Sequence, residues 1–197
     1  MKIDRLLFIL CIATVTVLTA SCVKKQTSTP KPKGYFRIEM PPHEYALLDT
    51  SVLPFTFQYA KSAVWEYHDQ DTVSWLLINY PKQHARMELS LYPIQKAPHE
   101  LMLKDKEFVE MHFVKADNVE NSDIYDSVAN VYGIFTDIAG REVACPFHFW
   151  LSDMKHHYLR GTLYFDFTPN NDSVQPVINY IRSDAMKMIE TFEWRHL

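Results

Sequence analysis

Residues 86–92, RMELSLY, alternate polar and apolar side chains without a break, Arg86, Glu88 and Ser90 at one parity and Met87, Leu89 and Leu91 at the other. A helix would turn Leu89 away from Met87 and Leu91, whereas a strand puts all three on one face. The run is therefore a half-buried strand. The stretch 55–60, FTFQYA, follows the same rule, with Phe55, Phe57 and Tyr59 set against Thr56 and Gln58. Residues 73–80, VSWLLINY, are apolar at both parities, which predicts a central strand covered on both faces. Further strands are expected at 129–138, 142–151 and 157–167, with a turn at 139–141. Strands in series joined by short polar turns favour antiparallel hairpins.

Two helices must cover such a sheet. Beyond a cap at Asp172 or Ser173, the residues Val174, Val177, Ile178, Ile181, Ala185, Met188, Ile189 and Phe192 recur at steps of three and four. A second helix is expected from His99 to Ala116, with Leu101, Phe108, Met111 and His112 near one face. The fold class is α+β, an antiparallel sheet packed against helices.

The N-terminus belongs to a different kind of segment. Lys2 and Arg5 precede an apolar stretch, Leu6 to Ala20, that falls short of the roughly 20 residues a bilayer-spanning helix needs. It reads as a secretory signal, with a permanent anchor as the rival reading. Ordinary signal peptidase would meet the bulky Leu18 where a small side chain is wanted. The sequence LTASC instead resembles a lipobox, with Ala20 and Ser21 before the acceptor Cys22, and Thr19 in the place usually held by leucine. Cys11 sits inside the apolar run behind Leu10, which suits an acceptor poorly.

Residues 1–21 are thus expected to be a lipoprotein signal peptide, 22–33 a lipidated flexible tether, and 34–197 a single globular domain. The tether VKKQTSTPKPK lacks apolar periodicity; a dozen such residues span roughly 20 Å if flexible and about 40 Å at full stretch. After processing, the tether holds four lysines and no acid, while residues 34–197 carry a formal charge of −9. An acidic body argues against nonspecific nucleic-acid binding. Lysines beside a lipid anchor suit either an anionic membrane surface or plain solvation. Apart from Cys22, only Cys145 remains, so the fold stands on its core and not on disulfides.

Chemistry-bearing patterns are sparse. The nine histidines suggest metal, yet HEYAL at 43–47 and HELML at 99–103 place Leu47 and Leu103 where a second zinc ligand belongs. His156 and His157, with Asp153 and His148 nearby, form the best metal candidate, but adjacent strand residues face opposite ways. Cys145 shares parity with Val143, Phe147, Phe149 and Leu151, which predicts an inert core thiol. Four glycines leave no phosphate-cradling loop, and no serine lies in a nucleophile elbow. No catalytic, cofactor-binding or metal residue is therefore assigned; Cys22, for lipid, is the one site residue. The aromatic residues, among them Tyr35, Trp65, Trp75 and Trp150, are of the types that anchor protein interfaces, though most belong in a core.

The collinear segments KPKGYFRIEMP, WLLINYPKQHARMELSLYPI, MHFVKAD, VYGIFTDIAGR and LSDMKHHYLRGTLYFDFTPNNDSVQPVINYIRSDAMKMIETFEW resemble the gliding-motility-associated lipoprotein GldD family of Bacteroidetes, from about Gly34 to Trp194. The resemblance implies an envelope lipoprotein of the gliding and type IX secretion machinery that supports its other lipoproteins, with no enzymatic activity, no cofactor and no catalytic residues to carry over. FTFQYAKSAVW and the closing IETFEW also resemble the opening strand and last helix of the PsbP/Mog1-type fold. The expected location is the periplasmic side of the envelope, in the inner leaflet of the outer membrane, since VKKQT lacks the acidic cluster tied to surface export. Two rival functions stand beside this one: a periplasmic small-ligand or metal-binding module, and an envelope hydrolase with dispersed residues.

Overall fold

The computed structural model describes residues 38–69, 73–94, 98–168 and 170–195. The expected signal peptide, tether and Cys22 lie outside the described residues, as does the expected domain start at Gly34. In chain order the elements are β1 (Tyr45–Leu48), β2 (Phe55–Ala60), β3 (Val64–His68), β4 (Ser74–Tyr80), β5 (Ala85–Pro93), α1 (His99–Glu110), β6 (Asn118–Asp126), β7 (Val131–Ala139), β8 (Phe147–Ser152), β9 (His157–Phe165), α2 (Asn171–Glu190) and β10 (Glu193–Trp194).

Seven strands form one antiparallel sheet in the order β3-β4-β5-β9-β8-β7-β6, and β1-β2-β10 form a smaller one. The large sheet consists of two hairpin runs, β3 to β5 and β6 to β9, joined where β5 pairs with β9. There Met87 lies opposite Leu163, Leu89 opposite Gly161 and Leu91 opposite Leu159, so the alternation of RMELSLY is matched from the facing strand. Gly161 is required by this packing: a Cβ there would lie 2.0 Å from Cζ of Phe149.

The α2 stripe packs as its spacing predicts. Val177, Ile178, Ile181, Ala185, Met188 and Phe192 are buried, while Val174 and Ile189 are half-buried against the same core. Each large side chain so buried stabilises the fold by about 1.5–3 kcal/mol. Phe192 stacks on Phe55 and Phe57, and Thr191 Oγ1 accepts the Gln58 N–H at 2.9 Å, so the small sheet is fixed to the end of α2.

Three expectations require correction. First, β4 is not central; it is second from an edge, with Leu76, Ile78 and Tyr80 buried and Trp75, Leu77 and Asn79 only half-covered. The strand covered on both faces is β8, because α1 lies over β8 and β9 and leaves the β3–β4 end open. Second, β8 begins at Phe147 and not at 142. Pro146 has no N–H to give a ladder, and its carbonyl accepts from Ile138. The parity of Cys145 is broken there: Val143 and Cys145 join Val109 and Ile138 on the α1 side, while Phe147, Phe149 and Leu151 enter the main core. Third, α1 ends at Glu110, and residues 111–115 continue as tight turns through bonds such as His112 N–H to Val109 O and Phe113 N–H to Glu110 O. The edge strand β6, NVENSDIYD, is polar at both parities and carries no alternation by which it could be read.

Candidate functional site

The even-numbered residues of β8 and β9 face α1, and many of them are polar. Asp105 is 4 % exposed at the centre of the helix's inner face, where Val109 is the other buried residue. Tyr158 donates its hydroxyl to Asp105 Oδ2. Arg160 Nη1 and His148 Nε2 each lie 3.6 Å from Oδ1 of the same carboxylate. His148 Nδ1 lies 3.2 Å from the Thr162 hydroxyl, and its Nε2 has no hydrogen-bond partner among the described residues. The Arg160 guanidinium sits over the rings of Tyr92 and Phe108, at 5.6 and 5.4 Å.

Burial sets the charge states of this bed. Desolvation raises the Asp105 carboxyl above its ordinary range, against the opposing pull of Tyr158 and Arg160. The His148 imidazole is pushed down to about 3, first by burial and then by Arg160 and His112, so it is neutral at physiological pH. A neutral, 1 % exposed histidine meets no substrate. This arrangement holds a helix to a sheet through polar bonds.

A second polar cluster ties the N-terminal strand region to α2. His43 Nδ1 lies 2.7 Å from Asp184 Oδ1, and Tyr45 donates to the same oxygen at 3.1 Å. The His43 ring stacks on Tyr180 at 4.4 Å, and the Tyr180 hydroxyl lies 3.2 Å from Ser62 Oγ. Burial, then Asp184, pushes the Tyr45 phenol up to about 12. Desolvation likewise raises the Asp184 carboxyl, whose Oδ2 is buried without a partner among the described residues. A histidine–carboxylate pair within hydrogen-bond reach is what the hydrolase reading requires. His43 and Asp184 line neither the groove beside β10 nor the one at the β3–β5 end of the sheet, whereas Asp153 and His157, 3.0 Å apart, line the former. Asp184 was legible only as a carboxylate in the apolar stripe of α2, between Ile181 and Ala185.

The larger groove, about 800 Å³, lies between the β6–β7 turn, the β8–β9 turn and β10, lined among others by Asp126, Asn130, Lys155, His156, His157 and Trp194. It contains three of the four residues of the metal candidate, but the fourth, His148, is under α1. Asp153 Oδ1 is occupied by the backbone N–H groups of Lys155, His156 and His157, at 2.8–2.9 Å. Its Oδ2 lies 3.0 Å from His157 Nδ1 and 3.7 Å from His156 Nδ1. Burial would raise this carboxyl, but the three N–H bonds and the imidazole bring it down to about 2. Asp153 is thus a turn-forming residue, and among the described residues no three His, Cys, Asp or Glu side chains are placed to hold a metal ion. The second groove, about 650 Å³, opens on the uncovered end of the sheet, where Arg86 is already paired with Glu88 at 2.8 Å and Asp166 at 3.0 Å. Cys145 donates its thiol to Phe147 O at 3.0 Å and is fully buried, which holds it well above the ordinary thiol range.

Interior ionisable groups that serve as fastenings, one groove between turns and another on the open end of the sheet, and an antiparallel sheet with a helix on each face define an α+β domain. Residues 25–194 match the model of the gliding motility lipoprotein GldD family, and the chain belongs to that family. It is a gliding-motility-associated lipoprotein. No curated protein matches the chain significantly. Among the described residues no helix is long and apolar enough to cross a membrane.

Proposed function

We propose that the protein is a lipid-anchored, non-enzymatic interaction and assembly component of the gliding-motility and type IX secretion machinery. Acyl groups on Cys22 hold it in a membrane leaflet with the domain on the periplasmic side, and its partners are other envelope lipoproteins of that machine. The observation that carries this reading is the family match, which starts at Lys25, three residues beyond Cys22, and runs to Trp194. A single acyl chain binds membranes only marginally, so stable anchoring draws on the several chains that lipoprotein maturation attaches.

Crosslinking in intact envelopes, with the captured proteins identified by mass spectrometry, tests the assembly role. Lipoproteins of the gliding or secretion apparatus are the expected capture. Recovery of the protein uncrosslinked, or joined only to itself, across reagents of several lengths would count against it. A periplasmic small-ligand module is the second reading, favoured by the groove of about 800 Å³ beside Trp194. Native mass spectrometry of the protein from its own envelope separates the two, since a stoichiometric added mass belongs only to the second.

A further inference from the structure

The inner face of α1 carries Asp105, and the turns that follow its C-terminus carry apolar side chains outward. Met111 is 69 % exposed, Phe113 49 % and Val114 92 %, with Leu103 at 46 % about two turns before Met111. The segment is a held structure: Met111 N–H bonds Glu107 O, Phe113 N–H bonds Glu110 O, and both Lys115 and Ala116 N–H bond His112 O. His112 turns inward, its Nδ1 lying 3.0 Å from Phe108 O. Within 111–116, MHFVKA, the one charged side chain is Lys115, on a domain that is otherwise strongly acidic.

We propose that residues 111–114 form a lipid-docking knob that enters the interfacial layer of the leaflet holding the anchor. The inference rests on the lipid-anchored reading above. What selects lipid as the occupant is the chain outside the described residues: Cys22 lies 16 positions before Ile38, the first described residue. A flexible segment of that length spans about 22 Å, and a stretched one about 55 Å, so the leaflet is always within reach of the domain. At the high effective concentration this creates, a few apolar side chains suffice for docking. Met, Phe and Val insert without needing a complementary pocket, and the Lys115 ammonium reaches back to the headgroups.

Val128 provides an internal control, because it is equally exposed, at 92 %, but is preceded by Asp126 and Ser127, with its N–H bonded to Asp126 Oδ1 at 2.8 Å. It follows the last residue of β6, whereas the knob precedes the first, and the nine-residue strand between them spans about 30 Å. Val114→Cys and Val128→Cys, each carrying an environment-sensitive fluorophore in the full lipidated protein, would be reconstituted into phosphatidylethanolamine–phosphatidylglycerol vesicles with or without nitroxide-bearing lipid. Cys145 is buried and does not compete for the label. The Val114 label should shift to the blue and lose about half its intensity to lipid-borne nitroxide, while the Val128 label stays in water. A vesicle-bound protein with the Val114 label in water overturns the docking alone. A blue shift that nitroxide does not quench assigns the knob to a second copy or a protein partner and overturns it too. Protein that fails to float with vesicles overturns the lipid anchor, and the docking with it.

Discussion

The Tyr158 hydroxyl donates a hydrogen bond to the Asp105 carboxyl, which is 4 % exposed and also lies 3.6 Å from Arg160 Nη1. Tyr158→Phe removes that donor and leaves the buried acid short of a bond, at an expected cost of about 1–3 kcal/mol in urea unfolding. Combining it with Asp105→Leu should cost less than the two single changes added together, because the stranded group is then gone; strict additivity would contradict the pairing. His148 adds a pH dependence with a definite sign. Its native value of about 3 lies below the ordinary 6.5, so the unfolded chain takes up the proton first. The stability it supports is complete above pH 6.5 and is lost as pH falls toward 3, at up to about 1.4 kcal/mol per pH unit. Asp105 acts in the opposite sense: its raised carboxyl protonates earlier in the native state and returns stability as pH falls. His148→Gln should therefore flatten the decline in stability between pH 7 and pH 5, and an unchanged slope would show that His148 is not held neutral.

At the scale of elements, α2 is attached to the sheet by two kinds of contact of unequal weight. Ile181 is fully buried in the core, and Ile181→Ala should cost about 2–5 kcal/mol. The neighbouring Arg182 makes a two-pronged ion pair with Asp137, both contacts at 2.7 Å, but the two side chains keep 38 % and 31 % of their exposure. Arg182→Ala should cost about 1 kcal/mol or less, and less still in high salt. If denaturant titrations reversed that order, the helix would be held by charge and not by its apolar stripe. That stripe was legible because burial on one helix face imposes a period on the sequence, and the same logic exposed β2 and β5. Periodicity has no access to the rest. β6 is an edge strand with no buried face to write an alternation, and Pro146 resets the parity of β8 in a way its apolar neighbours hide. His43 and Asp184, 141 positions apart, meet only because the small sheet and α2 share a core. Asp105 is likewise polar on a buried helix face because its partners come from β9.

For the whole molecule, the proposed acylation of Cys22 makes membrane attachment a question of which contact dominates. Long acyl chains contribute about 0.8 kcal/mol per buried CH₂, on the order of ten kcal/mol for each chain. Met111, Phe113 and Val114 together contribute at most several kcal/mol, at about 1.5–3 for each side chain if fully buried and less for the partial insertion of a knob. On the proposed lipid-anchored reading, the docking knob orients a protein that the acyl chains hold, and alone it is too weak to retain the domain against dilution. Cys22→Ala, exported on a cleavable secretory signal ending just before residue 22 so that no apolar leader remains, should leave the membrane fraction almost entirely. Val114→Asp with Cys22 intact should stay membrane-bound while losing the orientation that the Val114 label reports. Recovery of the cleaved Cys22→Ala protein wholly with membranes would mean that the domain itself, through a partner or a larger surface, carries the attachment. The tether, on that result, would set no working distance.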